Sequence, residues 1–128
     1  MQVRDGMSSV VLTVGPSHSL QEAARLMAQR NVGAAVVVDP ESPGLGIVTE
    51  RDILRSVAEG QDLRAELVAD HLTGELISAS PDWSMEQAAE TMCQHGFRHL
   101  LVVDGGGLRG VLSMRDIVRC WVTTGVIS

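Results

Sequence analysis

The sequence predicts a mixed α/β (α+β) fold: two tandem β-α-β-β-α units packed sheet to sheet under pseudo-twofold symmetry. Three observations predict it. The stretch Gly46-Ile47-Val48-Thr49-Glu50-Arg51-Asp52-Ile53-Leu54-Arg55 returns as Gly110-Val111-Leu112-Ser113-Met114-Arg115-Asp116-Ile117-Val118-Arg119. Nearly all of the remaining chain also matches itself, at an offset of 65 residues that falls to 64 after a longer turn at Asp39–Gly44. Within each copy, short apolar runs bounded by glycine and proline alternate with stretches of helical period, in the same order. The repeats are expected at residues 1–65 and 66–128, joined around Gln61 to Glu66.

The elements follow from local chemistry. A short extended piece, Val10 to Val14 or Leu76 to Ala79, ends before a proline. A helix then starts at a capping box, Ser19-Leu20-Gln21-Glu22 or Ser84-Met85-Glu86-Gln87. Its apolar face is Leu20, Ala23, Ala24, Met27 and Ala28, matched by Met85, Ala88, Ala89, Met92 and Cys93, at the i, i+3, i+4, i+7, i+8 spacing of a helix buried on one side. Two strands follow, Ala34 to Val38 and Leu45 to Val48, then Leu100 to Val103 and Leu108 to Leu112 in the second copy. The last helix carries Ile53, Leu54, Val57 and Ala58, or Ile117, Val118, Trp121 and Val122, as its apolar face. Each unit is small for independent stability, so the bare face of one sheet is expected to cover the other and leave two equivalent clefts.

Composition narrows the function classes. At 128 residues and 45% hydrophobic content the chain suits a packed globular domain. A net charge of −6, no lysine, and only Phe97, Trp83 and Trp121 as aromatics count against a nucleic-acid partner, which needs many phosphate-neutralising cations or stacking platforms. No apolar run approaches a membrane span, and the start lacks the apolar stretch of a signal peptide. Cys93 and Cys120 form no Cys-x-x-Cys pair, so reduced thiols and a cytoplasmic location are expected.

In the doubled stretch a strand delivers a hydroxyl and, three residues on, a carboxylate to a helix start: Thr49 with Asp52, and Ser113 with Asp116. A helix cap alone accounts for this pattern, at about 1 kcal/mol per cap. The two Gly-x-x-[Thr/Ser]-x-x-Asp motifs, the Val-Val-Asp strand ends and the Ala-Ala-x-x-Met helices together resemble cystathionine-β-synthase (CBS) domains, over residues 3 to about 122. A pair of such domains resembles a Bateman module. The resemblance implies adenosine-containing ligands such as AMP, ADP or ATP, bound as regulators with no required cofactor. It implies that Asp52 and Asp116 hold ribose hydroxyls, and that Thr49 and Ser113 contact phosphate or ribose. The segments before the second strand, Val32-Gly33-Ala34 and Phe97-Arg98-His99, would contact adenine and phosphate. The implied clefts are crossed: Asp116 and Ser113 share a nucleotide with Val32, Gly33 and Ala34, while Asp52 and Thr49 share one with Phe97, Arg98 and His99. Copy one offers no cation at the position of Arg98 and His99, and Val36 and Leu101 stand where the family commonly has proline. A homodimer of modules and a regulated protein partner are also implied.

The physics of the motif agrees, because a carboxylate accepts from both hydroxyls of a diol and a helix N-terminus favours phosphate. His18, His71 and His95 lack metal-ligand spacing and read as surface residues, Cys93 and Cys120 as small core residues, and Arg51 and Arg115 as solvated or paired with acids. No nucleophile elbow or phosphate-binding loop is present, so no enzyme activity is expected. A regulatory nucleotide-binding module is thus the first reading. A ligand-free dimerisation scaffold, whose aspartates only cap helices, is the alternative; a redox or metal sensor built on Cys93 and the histidines is the third.

Overall fold

The computed structural model describes residues 1–41, 44–73 and 77–125. In chain order the elements are α1 (Val3–Gly6), β1 (Thr13–Val14), α2 (Leu20–Arg30), β2 (Ala34–Val38), β3 (Leu45–Thr49), α3 (Glu50–Ala58), a 3₁₀ turn (Val68–Asp70), β4 (Ser78–Ala79), α4 (Met85–His95), β5 (His99–Asp104), β6 (Gly107–Ser113) and α5 (Met114–Thr124). The order β-α-β-β-α expected for each copy is therefore the observed one. Ser42 and Pro43 of the first hairpin turn, and Leu76 of the second extended piece, lie outside the described residues.

Two three-stranded sheets form, ordered β1-β2-β3 and β4-β5-β6. In the first, β1 runs parallel to β2 (Val14 opposite Val37), and β2 runs antiparallel to β3 with Ala34 opposite Thr49. In the second, Ala79 pairs Val102 in parallel, and His99 pairs Ser113 across the antiparallel hairpin. The first strands are shorter than expected: Val10, Val11 and Leu12 stay outside β1, and Val10 is exposed.

The chain divides into two compact units, Val11–Leu76 and Met1–Val10 with Ile77–Ser128. These units do not coincide with the sequence repeats 1–65 and 66–128, because the opening segments are exchanged. Val68, the counterpart of Val3, is buried in the core of the first unit with Leu20, Ala23, Met27, Ala35, Val37 and Val48. Val3 is buried in the core of the second with Met85, Ala88, Met92, Leu100, Val102 and Leu112. Backbone hydrogen bonds account for the exchange. The first N–H groups of a helix have no partner inside it. The Leu20 N–H donates to the Glu66 carbonyl and the Met85 N–H to the Met1 carbonyl, at 2.9 and 3.0 Å. The Val68 and Val3 N–H groups reach the carbonyls of His18 and Trp83 in the same way, both at 2.8 Å.

Caps hold the helix ends where the sequence places them. Ser19 and Glu22 form a reciprocal capping box on α2. Ser84 accepts from the Gln87 N–H at 3.0 Å, a one-way cap rather than the box expected there. Asn31 and Gly96, one repeat apart, close α2 and α4 in the left-handed region at φ 53° and 70°, a conformation that glycine and asparagine tolerate best.

Two expectations about burial need correction. Cys93 and its counterpart Ala28 are exposed. Each lies eight residues into the pattern, about 80° around the helix from its first buried residue, beyond the arc that the sheet covers. The last helices of the two repeats leave most of their apolar residues uncovered: Leu54, Val57, Val118, Trp121 and Val122 are exposed, and only Ile117 of α5 is buried. His71 is not a surface residue, since its half-buried ring meets Glu66 with Nε2 and Oε1 2.8 Å apart. No helix among the described residues is long and apolar enough to cross a membrane.

Candidate functional site

Each sheet's last strand runs directly into a helix, so the residue at the junction is both a strand end and an N-cap. In the first unit that residue is Thr49, whose hydroxyl accepts from the Asp52 N–H at 3.4 Å. Asp52 is 8% exposed. Its Oδ2 accepts from the Thr49 N–H at 2.8 Å, from the Thr49 hydroxyl at 3.0 Å and from the Thr73 hydroxyl at 3.1 Å. Thr73 is held in place by its own N–H, which donates to the Ile47 carbonyl at 3.1 Å.

The predicted segment Val32-Gly33-Ala34 lies beside this helix start. Ala34 is opposite Thr49, and the Gly33 carbonyl accepts from the Glu50 N–H at 2.9 Å. The Glu50 carboxylate lies over Gly33 closely enough that a Cβ there would sit 3.0 Å from Oε1. Val32 is exposed.

The second unit repeats the junction with different neighbours. The Ser113 N–H donates to Asp116 Oδ2 at 2.8 Å, and the Asp116 N–H donates back to the Ser113 hydroxyl at 3.0 Å. Asp116 Oδ1 accepts from Arg119 Nη2 at 3.0 Å. His99 is opposite Ser113, and the Arg98 carbonyl accepts from the Met114 N–H at 2.8 Å. Arg98 is exposed, while His99 and Phe97 are half-buried. The Phe97 ring stacks on His95, with centroids 6.0 Å apart and planes 21° from parallel.

The geometry sets Gly33 and Ala34 beside Thr49 and Asp52, and Arg98 and His99 beside Ser113 and Asp116, each pair next to the junction of its own repeat, while the Val32 and Phe97 N–H groups close the ends of α2 and α4 on the Met27 and Met92 carbonyls. Both aspartates occupy the third helical position of a capping box, so each has a structural task whatever else it does. Two partners were missed in the sequence. Thr73 and Ser8 are hydroxyl residues one repeat apart, a signal that self-comparison carries; Arg119 stands three residues after Asp116, one helical turn on. Among the described residues no three His, Cys, Asp or Glu side chains gather as a metal site.

The CBS domain family matches residues 2–59 and 68–122. The chain belongs to the CBS domain family. This CBS domain pair is 41% identical over 116 residues to the CBS domain-containing protein YhcV of Bacillus subtilis, covering 90% of this chain and 81% of that protein. It spans 41% of the length of another curated relative. Among solved structures, it is similar to the CBS domain protein PAE2072 of Pyrobaculum aerophilum, solved in complex with AMP. That match has a TM-score of 0.80 and 28% identity, over 97% of this chain and 100% of that one. It is also similar to the CBS domain pair of protein MJ0100, solved with 5′-methylthioadenosine and S-adenosyl-L-methionine. There the TM-score is 0.83 and the identity 25%, over 96% and 97% of the two chains.

Proposed function

We propose that this CBS domain pair is a regulatory module, without catalysis of its own, that binds an adenosine-containing ligand of the AMP, ADP or ATP class. One observation carries the reading: both repeats hold a carboxylate at a capped helix start beside a strand start, in a chain similar over 97% of its length to a protein solved with AMP. Asp52 and Asp116 accept the ribose hydroxyls, with Thr49 and Ser113 beside them. Val32, Gly33 and Ala34, and Phe97, Arg98 and His99, supply the adenine and phosphate contacts. No cofactor is required. The ligand signals by binding one arrangement of the module or of a regulated protein partner more tightly than another. The setting is cytoplasmic, with Cys93 and Cys120 as free thiols.

Titration calorimetry with AMP, ADP and ATP tests the reading. Removing a charged acceptor from a buried hydrogen bond costs roughly 2–4 kcal/mol, so Asp52→Ala and Asp116→Ala each weaken binding at their own site about 30- to 1,000-fold. Unchanged affinity in both variants would refute the assignment.

The exposed apolar residues of α3 and α5 favour a second reading, a ligand-free dimerisation scaffold in which the aspartates only cap helices. Thermal melts separate the two. A nucleotide at 100 times its Kd stabilises the fold by about 2.7 kcal/mol. A flat response across AMP, ADP, ATP, NAD and S-adenosylmethionine would favour the scaffold.

A further inference from the structure

We infer that Arg119 is a positioning residue that links ligand occupancy at Asp116 to the docking of the N-terminal segment on α5. The inference rests on the reading of Asp116 as a ribose acceptor. Arg119 Nη2 has two N–H groups, and both are used: one donates to Asp116 Oδ1 at 3.0 Å, the other to the Gly6 carbonyl at 3.2 Å. Gly6 is the last residue of α1. A single guanidinium nitrogen therefore ties the candidate ligand carboxylate to a carbonyl 113 residues away in sequence.

The segment it holds is closely fitted. A side chain at Gly6 would collide with the Met85 side chain and come within 2.8 Å of Cys120 Sγ. Two residues on, Ser8 and Val111 exchange backbone hydrogen bonds, both 3.0 Å, which pins the segment to β6 two positions before the Ser113 cap. The path from ligand site to N-terminal segment is closed at both ends: Asp116 through Arg119 to Gly6, and Ser113 through Val111 to Ser8. A carboxylate offers about four lone-pair positions. The bonds from Ser113 and Arg119 fix its orientation and leave acceptor capacity for a diol.

The first repeat lacks this link. Asp52 takes its third hydrogen bond from Thr73, and among the described residues its counterpart Arg55 makes no ion pair with it. Among the described residues, coupling between ligand and this segment thus runs through the Asp116 site. Because binding free energies are reciprocal, a docked segment that favours the ligand is itself favoured by the ligand.

AMP is the probe. Calorimetry on the whole chain is paired with hydrogen exchange at the Met7 and Ser8 amides, whose N–H groups donate to the Val3 and Val111 carbonyls. The binding event that Asp116→Ala weakens about 30-fold or more defines the site. Arg119→Met should weaken that event about fivefold or more. AMP should slow exchange at Met7 and Ser8 in the wild type but not in Arg119→Met. Arg119→Lys, which keeps the charge, should restore part of both effects, and Arg55→Met should change neither. If Asp116→Ala weakens that event as expected while Arg119→Met alters neither affinity nor the AMP response at Met7 and Ser8, the inference fails and the ligand assignment stands. If AMP does not bind the wild type, or binds Asp116→Ala unchanged, both fail together.

Discussion

Asp52 and Asp116 are the same residue in two copies of one motif, and each caps its helix through the same pair of bonds. What differs is the third partner: a hydroxyl from Thr73 on Asp52, a guanidinium from Arg119 on Asp116. The difference has an energetic consequence. Asp52 is buried and gathers three donors on one oxygen, so Asp52→Ala removes a cap and strands the Thr73 hydroxyl. That should cost about 2–3 kcal/mol. Arg119 is 63% exposed and regains water when its partner is lost, so Asp116→Ala leaves no group unsatisfied and should cost about 1 kcal/mol of stability. Differential scanning calorimetry of the two variants would read this as a larger fall in Tm for Asp52→Ala; equal falls would mean that Thr73 contributes nothing. The hydroxyl–acid pairs could be read directly because a capping box spans four consecutive residues. Their third partners could not, since Thr73 is 21 residues from Asp52 and no periodicity connects them.

Among the elements, the two final strands show how one motif meets two environments. Gly46 and Gly110 open equivalent stretches. A Cβ on Gly110 would strike the backbone carbonyl of Ser8, which cannot move without breaking its pairing to Val111. A Cβ on Gly46 would meet Leu72 Cδ1 at 3.1 Å, the end of a side chain that can rotate away. Gly110→Ala should therefore destabilise by about 1–3 kcal/mol, and Gly46→Ala by less than 1 kcal/mol. Urea denaturation of the two variants checks the order. The helices give a related lesson. Met85, Ala88 and Met92 are buried as their spacing predicts, yet Cys93 on the flank of the same pattern is not. Periodicity locates the centre of a buried stripe; the width of that stripe is set by what packs on it.

For the molecule as a whole, the uncovered apolar stripes are the feature that bears on assembly. Leu54 is 66%, Trp121 56% and Val122 74% exposed, on the two helices that close the repeats. Scattered exposed apolar residues are ordinary, but stripes at helical spacing read as surfaces for another helix. On the scaffold reading, which makes these stripes a dimer surface, the double variant Leu54→Glu and Trp121→Glu should run as a monomer in size-exclusion chromatography with light scattering while keeping its far-UV circular dichroism. An unchanged mass, equal to that of the wild type, would place any self-association elsewhere.

The repeats, the order of elements and the hydroxyl–acid pairs at the starts of α3 and α5 were legible in the sequence, because those features are written within a few residues of one another or in the comparison of one half with the other. Which half each opening segment joins, what third group steadies each aspartate, and which apolar faces stay bare emerge at the level of packing. Those outcomes depend on backbone donors and side chains brought together from distant parts of the chain, where Glu66 reaches Leu20 and Gly6 reaches Arg119. Local propensity has no means of encoding such meetings; the competition among whole packings selects them.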